Sequence, residues 1–259
     1  MPAMARTWTV GVDAGGTWLR VLAENGAGQR WTVTSRATRD IAASLRALWR
    51  RRGLRAPSVE HLVVATRGVW TPSERRAAVR RLGGLARRGH VLSDVEAAYR
   101  GAIGERAGLL VLARSESGRW VRAGGLGPLF GDGGSAFALG RDWLAATNPM
   151  RARRLAVSSD AVARIAALAP RVLRLGRQGD GAARAVVARG SLALALGIRA
   201  ATRSAALETP VTVSWAGGLL EDRAYRALTW RTARGLGLDI APVPPRRSAL
   251  EAVAELAAR

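Results

Sequence analysis

The sequence predicts an α/β protein made of two successive halves, each with its own β-sheet. Strand-like segments alternate with amphipathic helical segments, the pattern of sheets joined by crossover helices. This pattern begins again near residue 105, and 259 residues suffice for one or two domains. We therefore expect one domain over 1–105 and another over 106–259, whose C-terminal helix can pack back on the first. Ligands are expected in the cleft between the halves, at the carboxyl ends of strands.

The first half predicts a mixed sheet with three helices. Its first three strands are joined by short turns, which favours an antiparallel meander. Two further strands follow helices, as in parallel crossover units, and Pro72 marks the first turn of the second helix. The predicted strands are 7–13, 17–24, 28–35, 61–66 and 89–93, and the predicted helices are 39–52, 72–88 and 95–104.

The second half repeats the opening with two strands and then becomes mainly helical. A glycine-rich segment, 124–134, separates its second strand from its first helix. The predicted strands are 108–113, 118–124 and 210–215, and the predicted helices are 135–146, 159–168, 181–207, 221–236 and 249–258.

Composition excludes several classes of protein. The chain has no cysteine, so disulfides, thiolate nucleophiles and cysteine-ligated metal centres are ruled out. No uncharged apolar run is long enough to span a membrane, and no secretory signal pattern is present, so we expect a cytoplasmic protein without a membrane partner.

The net charge of +22 comes from arginine alone, because no lysine occurs. Such a surplus is the electrostatic signature of a nucleic-acid partner. However, the charge divides evenly, with +10 over 1–105 and +12 over 106–259, and forms no basic tail. Clustered aromatic side chains that would stack on bases are also missing. We therefore favour a solvated basic surface over a nucleic-acid partner, which stays the less favoured alternative.

The turn after the first strand carries the first chemical motif, Asp13-Ala14-Gly15-Gly16-Thr17. It lies between two strands, so it is neither a Walker A loop nor a Rossmann turn, which both lead into a helix. Two adjacent glycines let backbone amides surround an anion, and the hydroxyl of Thr17 adds a donor. Asp13 is suited to hold a hydrated cation. The alternative is an ordinary hairpin turn.

This hairpin resembles the first phosphate loop of the actin-like ATPase and sugar-kinase superfamily. Four later segments resemble that superfamily in the same order and extend the similarity over nearly the whole chain. They are Ser93-Asp94 with Ala97, Ala98 and Gly101; residues 124–135; residues 165–172 with Gly179, Asp180 and Ala182; and residues 215–219. Together the five segments resemble the BadF/BadG/BcrA/BcrD-type ATPase family in its N-acetylglucosamine-kinase-like branch. The family's other branch bridges an iron–sulfur cluster through cysteine, and the absence of cysteine excludes it.

The resemblance implies two actin-like ATPase (ribonuclease H-like) domains with a cleft between them. It further implies an ATP-dependent kinase of an amino sugar, using Mg²⁺ and forming a homodimer, with Asp94 as general base on the sugar hydroxyl. Asp94 and Asp132 each have a plainer alternative, a helix N-cap and a turn residue respectively. The implied ligands of phosphate or adenosine are Gly15, Gly16, Thr17, Ser115, Ser117, Gly217 and Gly218. The implied ligands of the sugar are Arg67, Asp94, Gly127 and Asp132, and Asp13 is the implied metal ligand.

Two departures from the family pattern leave alternatives open. Relatives carry Gly-Thr-Gly-Ser in the second phosphate loop, whereas this chain has Arg114-Ser115-Glu116-Ser117. Arg67 stands where relatives have a small residue beside the sugar. Besides an active kinase for an amino sugar, the sequence therefore permits a lapsed kinase that binds a ligand or partner, and an arginine-rich nucleic-acid binder.

Overall fold

A computed structural model describes residues 7–15, 18–38, 40–111 and 133–259. The chain divides into two compact units. Unit 1 contains Met1–Gly104 together with Pro245–Arg259, and unit 2 contains Glu105–Pro244. The C-terminal segment is therefore part of unit 1, so unit 2 lies between two parts of unit 1 along the chain.

Unit 1 is built on a mixed five-stranded sheet in the order β3-β2-β1-β4-β5. The first three strands pair antiparallel, whereas β4 pairs parallel with both β1 and β5. The strands are β1 (Trp8–Ala14), β2 (Trp18–Asn25), β3 (Arg30–Arg36), β4 (Val59–Thr66) and β5 (Arg88–Ser93). The helices are α1 (Ile41–Arg52), α2 (Pro72–Arg81), α3 (Asp94–Ala102) and, at the C-terminus, α10 (Ala249–Ala258). This is the mixed sheet that the sequence predicted.

Both faces of this sheet are covered because its central strands are apolar on both sides. Successive residues of a strand point to opposite faces. Val64 belongs to the core that includes Leu45 of α1, whereas Val63 belongs to the core that includes Val253 of α10. The continuous apolar run in β4 thus reflects a strand that is buried between two layers of helices.

A very close approach in unit 1 joins β1 to α10. A Cβ atom on Gly11 would lie 2.5 Å from the backbone nitrogen of Ala254 and 2.6 Å from its Cα. Both neighbours are backbone atoms, so they cannot move aside as a flexible side chain could. Helix α10 is itself fixed at its start by a capping box between Ser248 and Glu251. Glycine at position 11 is therefore required by close packing.

Unit 2 combines a parallel three-stranded sheet, in the order β6-β7-β8, with six helices in its described part. The strands are β6 (Leu109–Val111), β7 (Val211–Trp215) and β8 (Ile240–Pro242). The helices are α4 (Ala136–Thr147), α5 (Pro149–Ala156), α6 (Ala161–Ala166), α7 (Ala169–Arg177), α8 (Gly181–Ala205) and α9 (Arg223–Gly235).

Four elements of unit 2 differ from the sequence prediction. Helix α5 was not predicted, although Asn148 caps it and Pro149 opens it, because its arginine-rich sequence shows little apolar periodicity. The predicted helix over 159–168 is shorter, and α7 follows it. Strand β8 has only three residues, too few for a strand pattern. The predicted strand over 118–124 lies outside the described residues.

Helix α8 is the one helix in the described ranges that is long and apolar enough to cross a membrane, by length and composition alone. In unit 2 it packs on α4, α7, α9 and β6. Its apolar residues Val186, Ala195 and Ile198 are buried in the unit's core. This packing accounts for the buried apolar residues of α8, whereas Leu192 and Leu196 on the same helix are exposed.

The contact between β1 and α10 gives a direct test. We expect Gly11→Ala to destabilise the protein by about 1–3 kcal/mol, because the added methyl group must displace backbone. Gly89→Ala is the matched control, since a Cβ atom at Gly89 of β5 meets nothing within 4 Å. Urea unfolding followed by circular dichroism measures both variants, and equal midpoints for the two would contradict this account.

Candidate functional site

The parallel pairing of β1, β4 and β5 brings three polar residues to one edge of the sheet. Asp13 is the second-last residue of β1, and its register partner in β4 is Ala65. Thr66 ends β4 and pairs with Ser93, which ends β5 and precedes Asp94. Because the carboxyl ends of parallel strands meet at one edge, Asp13, Thr66 and Asp94 share that edge. This is where open α/β sheets bind ligands.

Asp13 is a buried carboxylate with a single charged partner in the described residues. Its Oδ2 lies 3.2 Å from the guanidinium of Arg20, which faces it across the β1–β2 hairpin. Burial raises the pKa of Asp13, Arg20 partly offsets that effect, and the charge of Asp94 raises the pKa further. The two carboxylates are therefore close enough to interact electrostatically.

The donor set at this edge suits Mg²⁺. Mg²⁺ prefers oxygen ligands and is usually held by one or two carboxylates, with phosphate and water completing its shell. Asp13 is such a carboxylate, and Asp94 lies at the same edge of the sheet. In the described ranges no group of three or more His, Cys, Asp or Glu side chains forms a closed metal cage. The carboxylates thus fit a metal that arrives with a phosphate.

Asp94 is the first residue of α3, and the N-cap of that helix is Ser93. The hydroxyl of Ser93 accepts a hydrogen bond from the backbone nitrogen of Glu96 at 3.1 Å. The carboxylate of Asp94 accepts from the backbone nitrogen of Val95 at 2.9 Å. The simple capping alternative for Asp94 is therefore wrong, because the preceding serine has that role.

A buried ion pair holds α3 in place behind Asp94. The carboxylate of Glu96 in α3 is 2.9 Å from the guanidinium of Arg75 in α2. The side chain of Glu96 is only 8% exposed, and Arg100 lies 3.8 Å from its other oxygen. Charge-assisted bonds of this kind are directional and fix their partners. The first turn of α3, which carries Asp94, is thus tied to α2 as well as to β5.

A cavity of about 270 Å³ opens beside this edge. Gly15 lines it and closes the hairpin by donating its backbone N–H to the carbonyl of Trp18 at 3.0 Å. Thr38, Thr66 and Arg67 supply the polar part of the lining, and Ala14, Leu19, Ala37 and Ile41 supply the apolar part. The cavity is close to the lower end of the size range of small-molecule sites. Its mixture of hydroxyl, guanidinium and apolar groups suits a polyhydroxylated ligand.

Unit 2 carries the predicted glycine pair in the turn after β7. Gly217 has a φ of +93°, which favours glycine, and its carbonyl accepts from the backbone nitrogen of Leu220. A Cβ atom at Gly218 would meet nothing within 4 Å. Beside the turn, the guanidinium of Arg226 stacks on Trp215 at 4.0 Å. A ligand can therefore approach the backbone at Gly218 closely.

Several predicted site residues lie outside the described residues. They are Gly16, Thr17, Ser115, Ser117, Gly127 and Asp132. Beyond the glycine-rich segment, the hydroxyl of Ser135 accepts from the backbone nitrogen of Ala138 and thereby caps α4. The phenol of Tyr225 donates to the carbonyl of Gly134 at 3.0 Å.

Sequence reasoning missed Arg20 as the partner of Asp13 in unit 1, and Tyr225 as the partner of Gly134 in unit 2. The signal for Arg20 was present, because a tight hairpin after Asp13 places residue 20 opposite residue 13. Tyr225 gave no such signal, since its contact with Gly134 joins residues 91 positions apart.

Comparisons with known proteins identify the fold. No protein-family model and no curated protein sequence matches the chain. A solved structure assigned as an N-acetylglucosamine kinase from Chromobacterium violaceum matches with a TM-score of 0.70 and 21% identity, over 99% of this chain and 100% of that one. A ROK hexokinase from Thermus thermophilus matches with a TM-score of 0.55 and 18% identity, over 96% and 97%. A glucokinase from Balamuthia mandrillaris in complex with glucose matches with a TM-score of 0.56 and 14% identity, over 98% and 94%.

The chain thus has the actin-like ATPase fold of sugar kinases, and the similarity extends over nearly all of it. This confirms the fold that the sequence motifs implied. Similarity at this level of sequence identity establishes the fold class and not a particular activity.

The burial of Asp13 predicts a conflict between stability and function. The pKa of Asp13 is higher in the folded protein than its value of 3.8 in the unfolded chain. The folded protein therefore loses stability as the pH rises from the unfolded pKa through the folded pKa, because Asp13 then ionises in a buried position. We expect Asp13→Asn to be at least as stable as the wild type at neutral pH, with a gain that shrinks toward about pH 4. The lost pair with Arg20 costs little, since Arg20 is 47% exposed. Urea midpoints at both pH values test this, and lower stability of the variant at neutral pH would contradict it.

Proposed function

We propose that the protein is an ATP-dependent kinase of an amino sugar of the N-acetylglucosamine or glucosamine type. The observation that carries this proposal is the pair of carboxylates, Asp13 and Asp94, at the sheet edge that also borders a small polar cavity. The sugar-kinase fold and the five motifs in order support it. They also support membership of the N-acetylglucosamine-kinase-like branch of the BadF/BadG/BcrA/BcrD-type family. We further propose that the protein acts in the cytoplasm and forms a homodimer.

In this proposal Asp94 accepts the proton of the sugar hydroxyl. The hydroxyl oxygen forms a bond to the γ-phosphorus of ATP, and the bond from that phosphorus to the β,γ-bridging oxygen breaks. The electron pair of the broken bond leaves with ADP, so atoms and charge balance. A carboxylate at a strand end, held by its helix turn and by the Arg75–Glu96 pair behind it, is positioned for general-base work.

Positioning and charge neutralisation would supply most of the acceleration, as in other phosphoryl transfers. Mg²⁺, when bound, would neutralise charge on the phosphate oxygens. Asp13 would hold it, and the raised pKa of Asp13 means that its ionisation costs free energy unless a cation is bound. We propose that the remaining ligand contacts follow the motif resemblance. Gly15, Gly16, Thr17, Ser115 and Ser117 would contact phosphate, Gly217 and Gly218 adenosine, and Arg67, Gly127 and Asp132 the sugar.

A lapsed kinase is the second candidate, and one sequence feature favours it. Arg114 and Glu116 stand at positions where relatives carry glycine, which lets backbone approach phosphate. The carboxylate of Glu116 would repel a triphosphate. In this reading the cavity beside Thr66 is retained as a binding site without phosphoryl transfer.

Substitution of Asp94 tests the catalytic proposal. We expect Asp94→Asn to lower kcat for phosphorylation of N-acetylglucosamine or glucosamine by at least about 100-fold, the usual contribution of a general base. Glu60→Gln is the matched control, because Glu60 lies in β4 and pairs with Arg87, away from the site. Coupled detection of ADP measures both. Absence of turnover over a broad sugar panel, with wild type equal to Asp94→Asn, would exclude the kinase.

Nucleotide titration separates the two candidates. The kinase predicts calorimetric binding of Mg–ATP at micromolar concentrations, strengthened by the sugar. The lapsed kinase predicts little or no binding by the wild type, and recovery of binding in the double variant Arg114→Gly, Glu116→Gly. Micromolar binding by the wild type would exclude the lapsed kinase.

A further inference from the structure

We propose that the sugar acted on by this protein carries an anionic substituent, a carboxylate or a phosphate, that is bound by an arginine-lined extension of the sugar cavity. The inference rests on the proposed function for the identity of the neutral part of the ligand. The cavities and charged side chains of unit 1 point to the anion site independently of that function.

Two cavities of unit 1 meet at the carboxyl end of β4. The smaller one, of about 270 Å³, adjoins the hairpin turn at Gly15. The larger one, of about 730 Å³, extends from it between α1 and α2. Ile41, Thr66 and Arg67 line both, so a ligand in the smaller cavity has its far side directed to the larger one. Together they offer more room than a simple monosaccharide requires.

The larger cavity has a surplus of positive charge. Three arginines line it, Arg46 from α1, Arg67 after β4 and Arg81 at the end of α2. Two acids line it as well, Asp40 and Glu74. The hydrogen-bond and ion-pair partners of these five side chains decide how much of the positive charge is available to a ligand.

Both acids are bound to backbone amides. Asp40 caps α1 by accepting from the backbone nitrogen of Ala43 at 2.9 Å. Glu74 caps α2 by accepting from the backbone nitrogens of Trp70 at 2.8 Å and Thr71 at 2.7 Å. These bonds lower the pKa of Glu74 and keep it ionised as a cap. Neither acid forms an ion pair with the cavity arginines within the described ranges.

The arginines differ in how far they are engaged. Arg46 donates to the carbonyls of Arg81 and Gly83, each at 3.4 Å, and so joins α1 to the end of α2. The guanidinium groups of Arg67 and Arg81 have no hydrogen-bond or ion-pair partner in the part of the chain that the structure describes. Guanidinium groups bind carboxylate and phosphate through paired N–H donors. An anion on the sugar would supply the partner that the cavity lacks.

The position of Arg67 distinguishes this site from the basic surface of the rest of the protein. Other exposed arginines of α2, such as Arg76, line neither cavity. Arg67 alone of the cavity arginines borders both spaces, so it can contact an anionic substituent while the sugar ring occupies the smaller cavity. We therefore place the specificity of the site on Arg67, with Arg81 as a second contact.

The test compares neutral sugars with acidic counterparts on the full chain. The probes are glucose against glucuronate, and N-acetylglucosamine against N-acetylglucosamine 6-phosphate. Calorimetry measures Kd, and ADP release measures turnover. We expect at least one acidic probe to bind about tenfold or more tightly than its neutral counterpart, the effect of one charge-assisted contact. The preferred acidic probe identifies the group as carboxylate or phosphate.

Variants assign the effect to the cavity. We expect Arg67→Ala to remove the preference for the acidic probe, Arg67→Lys to retain part of it, and the matched control Arg76→Ala to leave it unchanged. Equal or tighter binding of the neutral probes, or equal effects of Arg67→Ala and Arg76→Ala, would overturn the inference.

The outcomes also separate this inference from the proposed function. Turnover of neutral sugars without any preference for acidic ones would overturn the anion site and leave the kinase. Arg67-dependent binding of an acidic probe without turnover of any probe would support the anion site and count against the kinase. Failure of every probe to bind or react would overturn both.

Discussion

The candidate site depends on the parallel pairing of β1 with β4 and of β4 with β5. This pairing carries Asp13, Thr66 and Asp94 to one edge of the sheet although they are separated along the chain by whole crossover units. The antiparallel hairpin adds Arg20 opposite Asp13, because register across a tight turn is fixed. Sheet pairing therefore brings Asp13 to the edge where α3 begins, and the first turn of α3 supplies Asp94.

Much of unit 1 is predictable from sequence because its signals are local. The five strands follow from apolar or alternating runs between turn residues, and caps such as Thr71 with Glu74 mark helix starts. The strand order is inferable from connection lengths. The cavities are not, since they depend on the separation of α1 and α2, which no periodicity encodes. In unit 2, α5 and β8 lack the length or apolar pattern that would have revealed them, and the resemblance supplied only motif positions.

The arginine surplus takes on distinct local roles. Some guanidinium groups pair with buried carboxylates, as Arg75 does with Glu96. Others stack on tryptophan, as Arg36 does on Trp18 at 4.6 Å and Arg52 on Trp31 at 4.9 Å. Stacking shields part of the ring from water and needs no acid. A chain with many more bases than acids can thus engage part of its arginine without acids.

The contact of Gly11 with α10 has a consequence for biosynthesis. The strand that begins the sheet is covered by a helix that the ribosome makes only after all of unit 2 has been translated. Until α10 emerges, Val63, Ala65 and Leu92 lack their covering layer, because they pack with Val253 and Ala257. Unit 2 has all its residues by then and can fold first. During synthesis, unit 1 would therefore expose these apolar sheet residues to chaperones until α10 is made.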